Sequence, residues 1–270
     1  PSHLMIVSNP TLASLLASLA IVPLTPGADE PLARTAERAL EVAREQSVSM
    51  ARVLADHPGR LPKTLGPDGQ LETCAPDWWV SGFFPGVLWY LYEYDKSEEL
   101  RKLAAEYSKR VEGQKYTTDN HDVGFMIFCS FGNGYRITGE PTYREIMRTA
   151  SESLSTRFSP IVGCIRSWNY ASWSQQWKYP VIIDNMMNLE MLLWAGNEFD
   201  ENRFTEIARS HADKTMQHHF REDGGSFHVV SYEPETGAVE KRTTAQGHAD
   251  DSAWARGQAW GLYGYTMMYS

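Results

Sequence analysis

Four stretches of this 270-residue chain are apolar nearly all round a helical wheel: Phe83 to Tyr94, Gly124 to Tyr135, Val181 to Trp194 and Trp254 to Tyr269. A helix without a polar face has to be buried on most sides, so other helices must pack outside it. The chain supplies them. Leu100, Leu103, Ala104, Tyr107 and Val111, then Tyr143, Ile146, Met147, Ala150 and Leu154, then Phe204, Ile207, Ala208, His211 and Thr215 each follow the spacing of a helix with one buried stripe. An earlier amphipathic segment, Ala36 to Leu54, stops at His57-Pro58-Gly59.

The junctions repeat as well. "YEYDKSEELRKLA" from Tyr92, "YRITGEPTYREIMRTA" from Tyr135 and "NEFDENRFTEIARSHA" from Asn197 each lead an apolar segment through a short turn into an amphipathic one. Inner helices alternating with outer ones describe an all-α toroid of helical hairpins, the (α/α) barrel. The strand signal reduces to one hairpin, Ser226 to Tyr232 and Ala238 to Thr243 around Pro234 to Gly237. The last apolar segment runs to Ser270 without an outer partner, so the expected barrel, residues 31–270, is incomplete on its C-terminal side. Residues 1–30 read as an arm. Within it, Leu12 to Leu24 followed by Gly27 and Ala28 resembles the apolar stretch and cleavage region of a secretory signal, although no Lys or Arg precedes it. Export, to the periplasm or beyond, is the expectation, with a frayed N-terminal arm on a cytoplasmic protein as the alternative.

Charge and composition exclude several functions. The balance of 25 basic and 34 acidic residues, a net charge of -9, with no basic run, argues against a nucleic-acid partner. No apolar run reaches the roughly 18 residues that a membrane span needs. Cys74, Cys129 and Cys164 are odd in number and lack CxxC spacing, so they read as small buried hydrophobes and not as a disulfide framework or zinc site. The His and Asp residues lack metal-loop spacing, and no GxGxxG, P-loop or GxSxG occurs, so neither a metal nor an organic cofactor is expected. Nine Trp and thirteen Tyr, several in polar loops, suit sugar recognition.

The polar residues that could do chemistry sit where the apolar segments begin. Asp184, after Val181-Ile182-Ile183 and before Met186-Met187, is a carboxyl whose burial would raise its pKa into the range of a general acid. A structural Asp satisfied by backbone N-H groups at a helix start fits the pattern equally. Asp122 before "VGFM" is either an N-cap or a second carboxyl whose charge would push the two pKa values apart. His121 and His228 could bind a carboxylate or orient an acid, or be structural. Arg256 could hold a ligand carboxylate or pair with Asp250 or Asp251.

Together, "WWVSGFFPG" from Trp78, "HDVGFM" from His121, "IIDNMMNLE" from Ile182 and "QGHADDSAWARGQAWGLYGY" from Gln246 resemble the unsaturated glucuronyl hydrolases, glycoside hydrolase family 88, over about Leu61 to Ser270. The resemblance implies an (α/α)6 barrel that removes a 4,5-unsaturated uronic acid from the non-reducing end of lyase-generated glycosaminoglycan oligosaccharides. It implies Asp184 as general acid and base and Asp122 as its partner. It further implies that His121, His228, Gln246, Arg256 and Trp260 line the unsaturated sugar, with Trp79 as a stacking platform. The implied chemistry protonates C4 of the vinyl ether and hydrates C5, without a cofactor. Two rival readings are an unsaturated rhamnogalacturonyl hydrolase acting on pectin fragments and a non-catalytic saccharide-binding barrel.

Overall fold

The computed structural model describes residues 32–169, 174 and 176–269. The expected arm and its secretory-signal-like stretch lie outside them. Residues 1–41 form one unit, of which the described part is the beginning of helix α1 (Leu32–Leu54), and residues 42–270 form another.

In the larger unit the repeated junctions become three helical hairpins. Helix α2 (Phe83–Asp95) turns into α3 (Glu98–Val111), α4 (Asn133–Thr138) into α5 (Pro141–Ser155), and α6 (Leu189–Phe199) into α7 (Asn202–His219). Each inner helix stops on a left-handed residue whose N-H donates to the carbonyl four residues back: Lys96 to Tyr92, Gly139 to Tyr135 and Asp200 to Gly196. This is a helix C-cap that reverses the chain within a few residues. Gly139 adopts it freely, whereas Lys96 and Asp200 carry a Cβ into it. The outer helices bury the stripes that their spacing predicts, including Leu100, Ala104, Tyr107 and Val111 of α3 and Ile146, Met147, Ala150 and Leu154 of α5. Trp89 of α2 is buried and donates its indole N-H to Ser108 Oγ of α3 at 3.0 Å, so its one polar atom is satisfied inside the hairpin.

The apolar segments differ from the expected buried α-helices in three ways. The second opens as a π-helix, Gly124–Gly132, that runs into α4. An apolar pattern that covers the whole circumference has no phase by which to distinguish π from α. The third is not one helix. It divides into strand β5 (Pro180–Ile182), a 3-10 helix (Ile183–Asn188) and α6, because its β-branched start pairs with another strand. The fourth, α8 (Ala255–Tyr269), is not buried on most sides: it buries only Gly257, Gly261 and Gly264, while Leu262 is 74% exposed. These glycines bring its backbone against the 3-10 helix, where a Cβ on Gly264 would lie 2.5 Å from Met186 Cβ. Val87 and Tyr90 of α2 are also exposed and, with Phe128, Trp194 and Tyr263, line a cavity of about 740 Å³.

The strands are more numerous than the single hairpin expected. β1 (Leu61–Leu65) pairs with β2 (Leu71–Cys74), and β3 (Phe158–Ser159) with β4 (Cys164–Ile165). The expected hairpin is β6 (Val229–Tyr232) with β7 (Val239–Thr243), and β5 joins it to make a three-stranded antiparallel sheet in the order β5-β6-β7. All three cysteines are free. Cys74 and Cys164 are buried, whereas Cys129 is half-buried beside the cavity.

Candidate active site

The three-stranded sheet places the first carboxyl. Ile182 lies opposite Val229, and the pairing continues one residue further, with Ile183 N-H donating to His228 O at 3.0 Å. Asp184 follows, and its Oδ2 comes to 3.6 Å from His228 Nε2. The His228 ring is buried and its polarity is set by the backbone: Nδ1 accepts from the N-H groups of Ala245 (3.0 Å) and Gln246 (3.1 Å). The proton of the neutral ring is therefore on Nε2 and faces the carboxyl.

The second carboxyl stands at the mouth of the π-helix. Asp122 does not cap it with its side chain. Its backbone N-H instead donates to Asn120 Oδ1 at 2.9 Å, and its Oδ1 lies 3.4 Å from Nε2 of buried His121. His121 N-H is itself held by Ser167 O at 3.1 Å.

Burial governs the electrostatics. It pushes Asp184 up to about 7, opposed by its own backbone N-H, by Arg256 and by the Trp260 indole N-H. It pushes Asp122 up to about 7 as well, the charge of Asp184 adding to the effect and the buried Arg157 opposing it. The same desolvation pushes His121 down to about 3 and His228 to about 4, so both imidazoles are neutral at neutral pH. The result is two carboxyls within each other's field, each faced by a neutral histidine. A proton stays on this pair at a pH where ordinary carboxyls are fully ionised.

The rim is aromatic and cationic. Arg256 is exposed, donates to Gln246 Oε1 at 2.6 Å, and lies over the rings of Trp254 (4.4 Å) and Trp79 (5.6 Å). Its alternative partner Asp250 accepts instead from Thr243 Oγ1 and the Thr244 N-H. Phe125 is buried between Trp79 (5.8 Å between centroids) and Trp260 (5.3 Å), an edge-to-face run that spans the floor. The structure thus groups Asp122 with His121, Asp184 with His228 and Trp260, and Arg256 with Gln246 and Trp79. Sequence reasoning missed Asn188, Arg157 and Trp254. A polar residue in an otherwise apolar run could have flagged Asn188, whereas Arg157 at the end of an amphipathic helix gave no signal. Among the described residues no group of three His, Cys, Asp or Glu side chains is placed to hold a metal ion, and no helix is long and apolar enough to cross a membrane.

The model of Glycosyl Hydrolase Family 88 matches residues 50–270. Among curated relatives, an unsaturated glucuronyl hydrolase of Formosa agariphila is 42% identical over 192 residues, which is 71% of this chain and 48% of the relative. An unsaturated chondroitin disaccharide hydrolase of Streptococcus pneumoniae is 35% identical, with the same two coverages. The chain thus spans about half the length of these relatives. Among solved structures, an unsaturated glucuronyl hydrolase specific for heparin superposes with a TM-score of 0.79 at 44% identity, covering 85% of this chain and 62% of that one. That of Bacillus sp. GL1, described as responsible for glycosaminoglycan degradation, gives 0.75 at 27%, covering 86% and 63%.

Proposed function

The chain belongs to glycosyl hydrolase family 88, and from that premise we propose that it is the catalytic part of an enzyme that removes 4,5-unsaturated uronic acid from the non-reducing end of glycosaminoglycan fragments. The observation that carries this reading is the pair Asp122 and Asp184, each raised to about 7 and each faced by a histidine that is neutral at neutral pH. Such a pair can hold one proton and one negative charge together, which is what acid-base chemistry on an alkene requires.

In the proposed reaction, protonated Asp184 gives its proton to C4 of the vinyl ether, and positive charge develops at C5, shared with the ring oxygen. Water adds at C5 and its proton passes to Asp184, now a carboxylate, which restores the starting state. The product is a hemiketal. It opens, and the glycosidic bond breaks as the sugar rearranges, so no displacement occurs at the anomeric carbon and the spacing rule for paired carboxyls in ordinary glycosidases does not apply. Asp122 holds the compensating negative charge. Arg256, exposed at the rim with Gln246, binds the uronate carboxylate, and Trp79 and Trp260, which flank Phe125, offer aromatic surface to the sugar. The names of the relatives support glycosaminoglycan disaccharides as the substrate class. One solved relative, from Streptococcus agalactiae, is a complex with dGlcA-GalNAc6S.

The test follows ultraviolet absorbance of the conjugated double bond with unsaturated chondroitin, heparin and rhamnogalacturonan disaccharides. Loss of absorbance with release of the reducing-end sugar from the first two supports the reading. Loss with the third alone indicates pectin fragments, and binding without loss indicates a saccharide-binding barrel. We also read Leu12 to Leu24 as an export signal, to the periplasm or beyond the cell, with a cytoplasmic protein as the alternative; an uncleaved N-terminus on protein recovered from cells would favour that alternative and refute the export reading.

A further inference from the structure

His121 and His228 present the same nitrogen to their carboxyls, but by different means. The polarity of His228 is set by two backbone N-H groups. That of His121 is set by buried side-chain amides of the 3-10 helix that carries Asp184: Asn188, at the end of that helix, meets Nδ1, and Asn185 also bonds the ring. Asn188 and its neighbour Asn185 are fully buried in an otherwise apolar segment, where an unpaired amide would be costly.

Two backbone groups orient the whole chain of amides. Gly124 N-H can only donate, and it meets Asn188 Oδ1 at 2.9 Å, which makes that atom the oxygen. Ile165 C=O can only accept, and it meets Asn185 Nδ2 at 2.9 Å, which leaves Asn185 Oδ1 to face Asn188 Nδ2 at 3.0 Å. Asn188 therefore turns its NH2 to His121 Nδ1, 3.3 Å away. An NH2 cannot accept, so Nδ1 must be the unprotonated nitrogen and the ring proton sits on Nε2, towards Asp122. The contact is tight: a Cβ on Gly124 would lie 2.4 Å from Asn188 Oδ1 and 2.9 Å from its Cα.

We infer that Asn188 is a positioning residue for the reaction: it fixes the tautomer of His121 and ties the backbone that carries Asp122 to the helix that carries Asp184. Through Gly124 it grips the first turn of the π-helix, two residues beyond Asp122, while belonging to the same helix as Asp184. The spacing of the two carboxyls then depends on a buried amide pair and not on the exposed rim. The functional half of this inference rests on the proposed hydrolase activity; the tautomer half does not.

The experiment has two arms on the whole chain. In the first, ¹⁵N-histidine-labelled protein is examined by long-range ¹H-¹⁵N correlation, with the His121→Gln variant to assign the signal. His121 should show a protonated Nε2 and an unprotonated Nδ1. A protonated Nδ1 in the unsubstituted protein would overturn the inference without any variant. In the second, Asn188→Asp keeps the shape and the Gly124 contact but places an acceptor against Nδ1. The His121 Nδ1 signal should move to the protonated range, and kcat on an unsaturated disaccharide should fall by at least about 10-fold, as expected of a histidine whose tautomer is mis-set, with KM changed by less. Normal kcat with a protonated Nδ1 would refute the positioning role. Should the variant not fold, Asn185→Ala, which removes the second anchor of the Asn188 amide, should mix the two tautomers; an unmixed Nε2-H signal at normal kcat refutes the role. Absence of turnover in the unsubstituted protein would refute the hydrolase reading alone, because the tautomer signal is read independently of it.

Discussion

Replacing Asp184 by Asn should abolish turnover and at the same time make the folded protein more stable at alkaline pH relative to acid pH. The folded state raises this carboxyl from 3.8 to about 7, mainly by burial. Between those values the folded protein holds a proton that the unfolded chain has released. Stability therefore falls as pH rises through this window and changes no further on that account above about 7. At about 1.36 kcal/mol for each pH unit, the loss over the window is on the order of 4 kcal/mol. Asparagine has no such proton, and Asp122, relieved of the neighbouring charge that helps to raise it, moves back towards its ordinary value. Equilibrium urea unfolding of both proteins from pH 4 to pH 8 measures the effect. The variant's advantage should grow by on the order of 4 kcal/mol from the acid to the alkaline end. Parallel stability curves would mean that the Asp184 carboxyl titrates normally, and the argument for its acid role would lose its electrostatic basis.

Four further outcomes follow from the same geometry. The rate with an unsaturated disaccharide should decline as pH rises through about 7, where Asp184 loses its proton, and a pH-rate profile flat from 6 to 9 would contradict this. Arg256→Ala should raise KM about tenfold, or about 1.4 kcal/mol, because the guanidinium is exposed and its contribution is screened by solvent; an unchanged KM would place it outside the site. Lys96→Gly should stabilise the fold by about 1 kcal/mol in urea unfolding by removing a Cβ from a left-handed helix cap. Gly82→Ala should lower stability by about 3 kcal/mol or more, since the new Cβ would lie 2.2 Å from Phe125 O and 2.3 Å from Met126 O, both backbone atoms that cannot step aside; a melting temperature like that of the unsubstituted protein would show that the π-helix can shift.

Much of the scaffold was legible because its signal is local. The i, i+3, i+4, i+7 stripes of α3, α5 and α7 need only the sequence, and those stripes are what the helices bury. The repeated turns were legible for the same reason, since each marks the same left-handed cap. Segments apolar on every side carried no phase, and there the reading failed: the π-helix and the split of Val181 to Trp194 into strand, 3-10 helix and α6 depend on partners distant in sequence. β5 exists because β6 pairs with it, and β6 lies 47 residues beyond (Ile182 against Val229).

The same division holds at the site. The sequence by itself determined which side chains could do acid-base chemistry, because a carboxyl set in an apolar run is chemically conspicuous wherever the chain places it. Only the tertiary structure decided how they act. His228 reaches Asp184 through strand pairing, His121 receives its tautomer from an amide 67 residues away, and both carboxyls rise to about 7 because distant elements exclude water from them. Proton affinity depends on what surrounds a group in space, and that surrounding is assembled only when the chain folds.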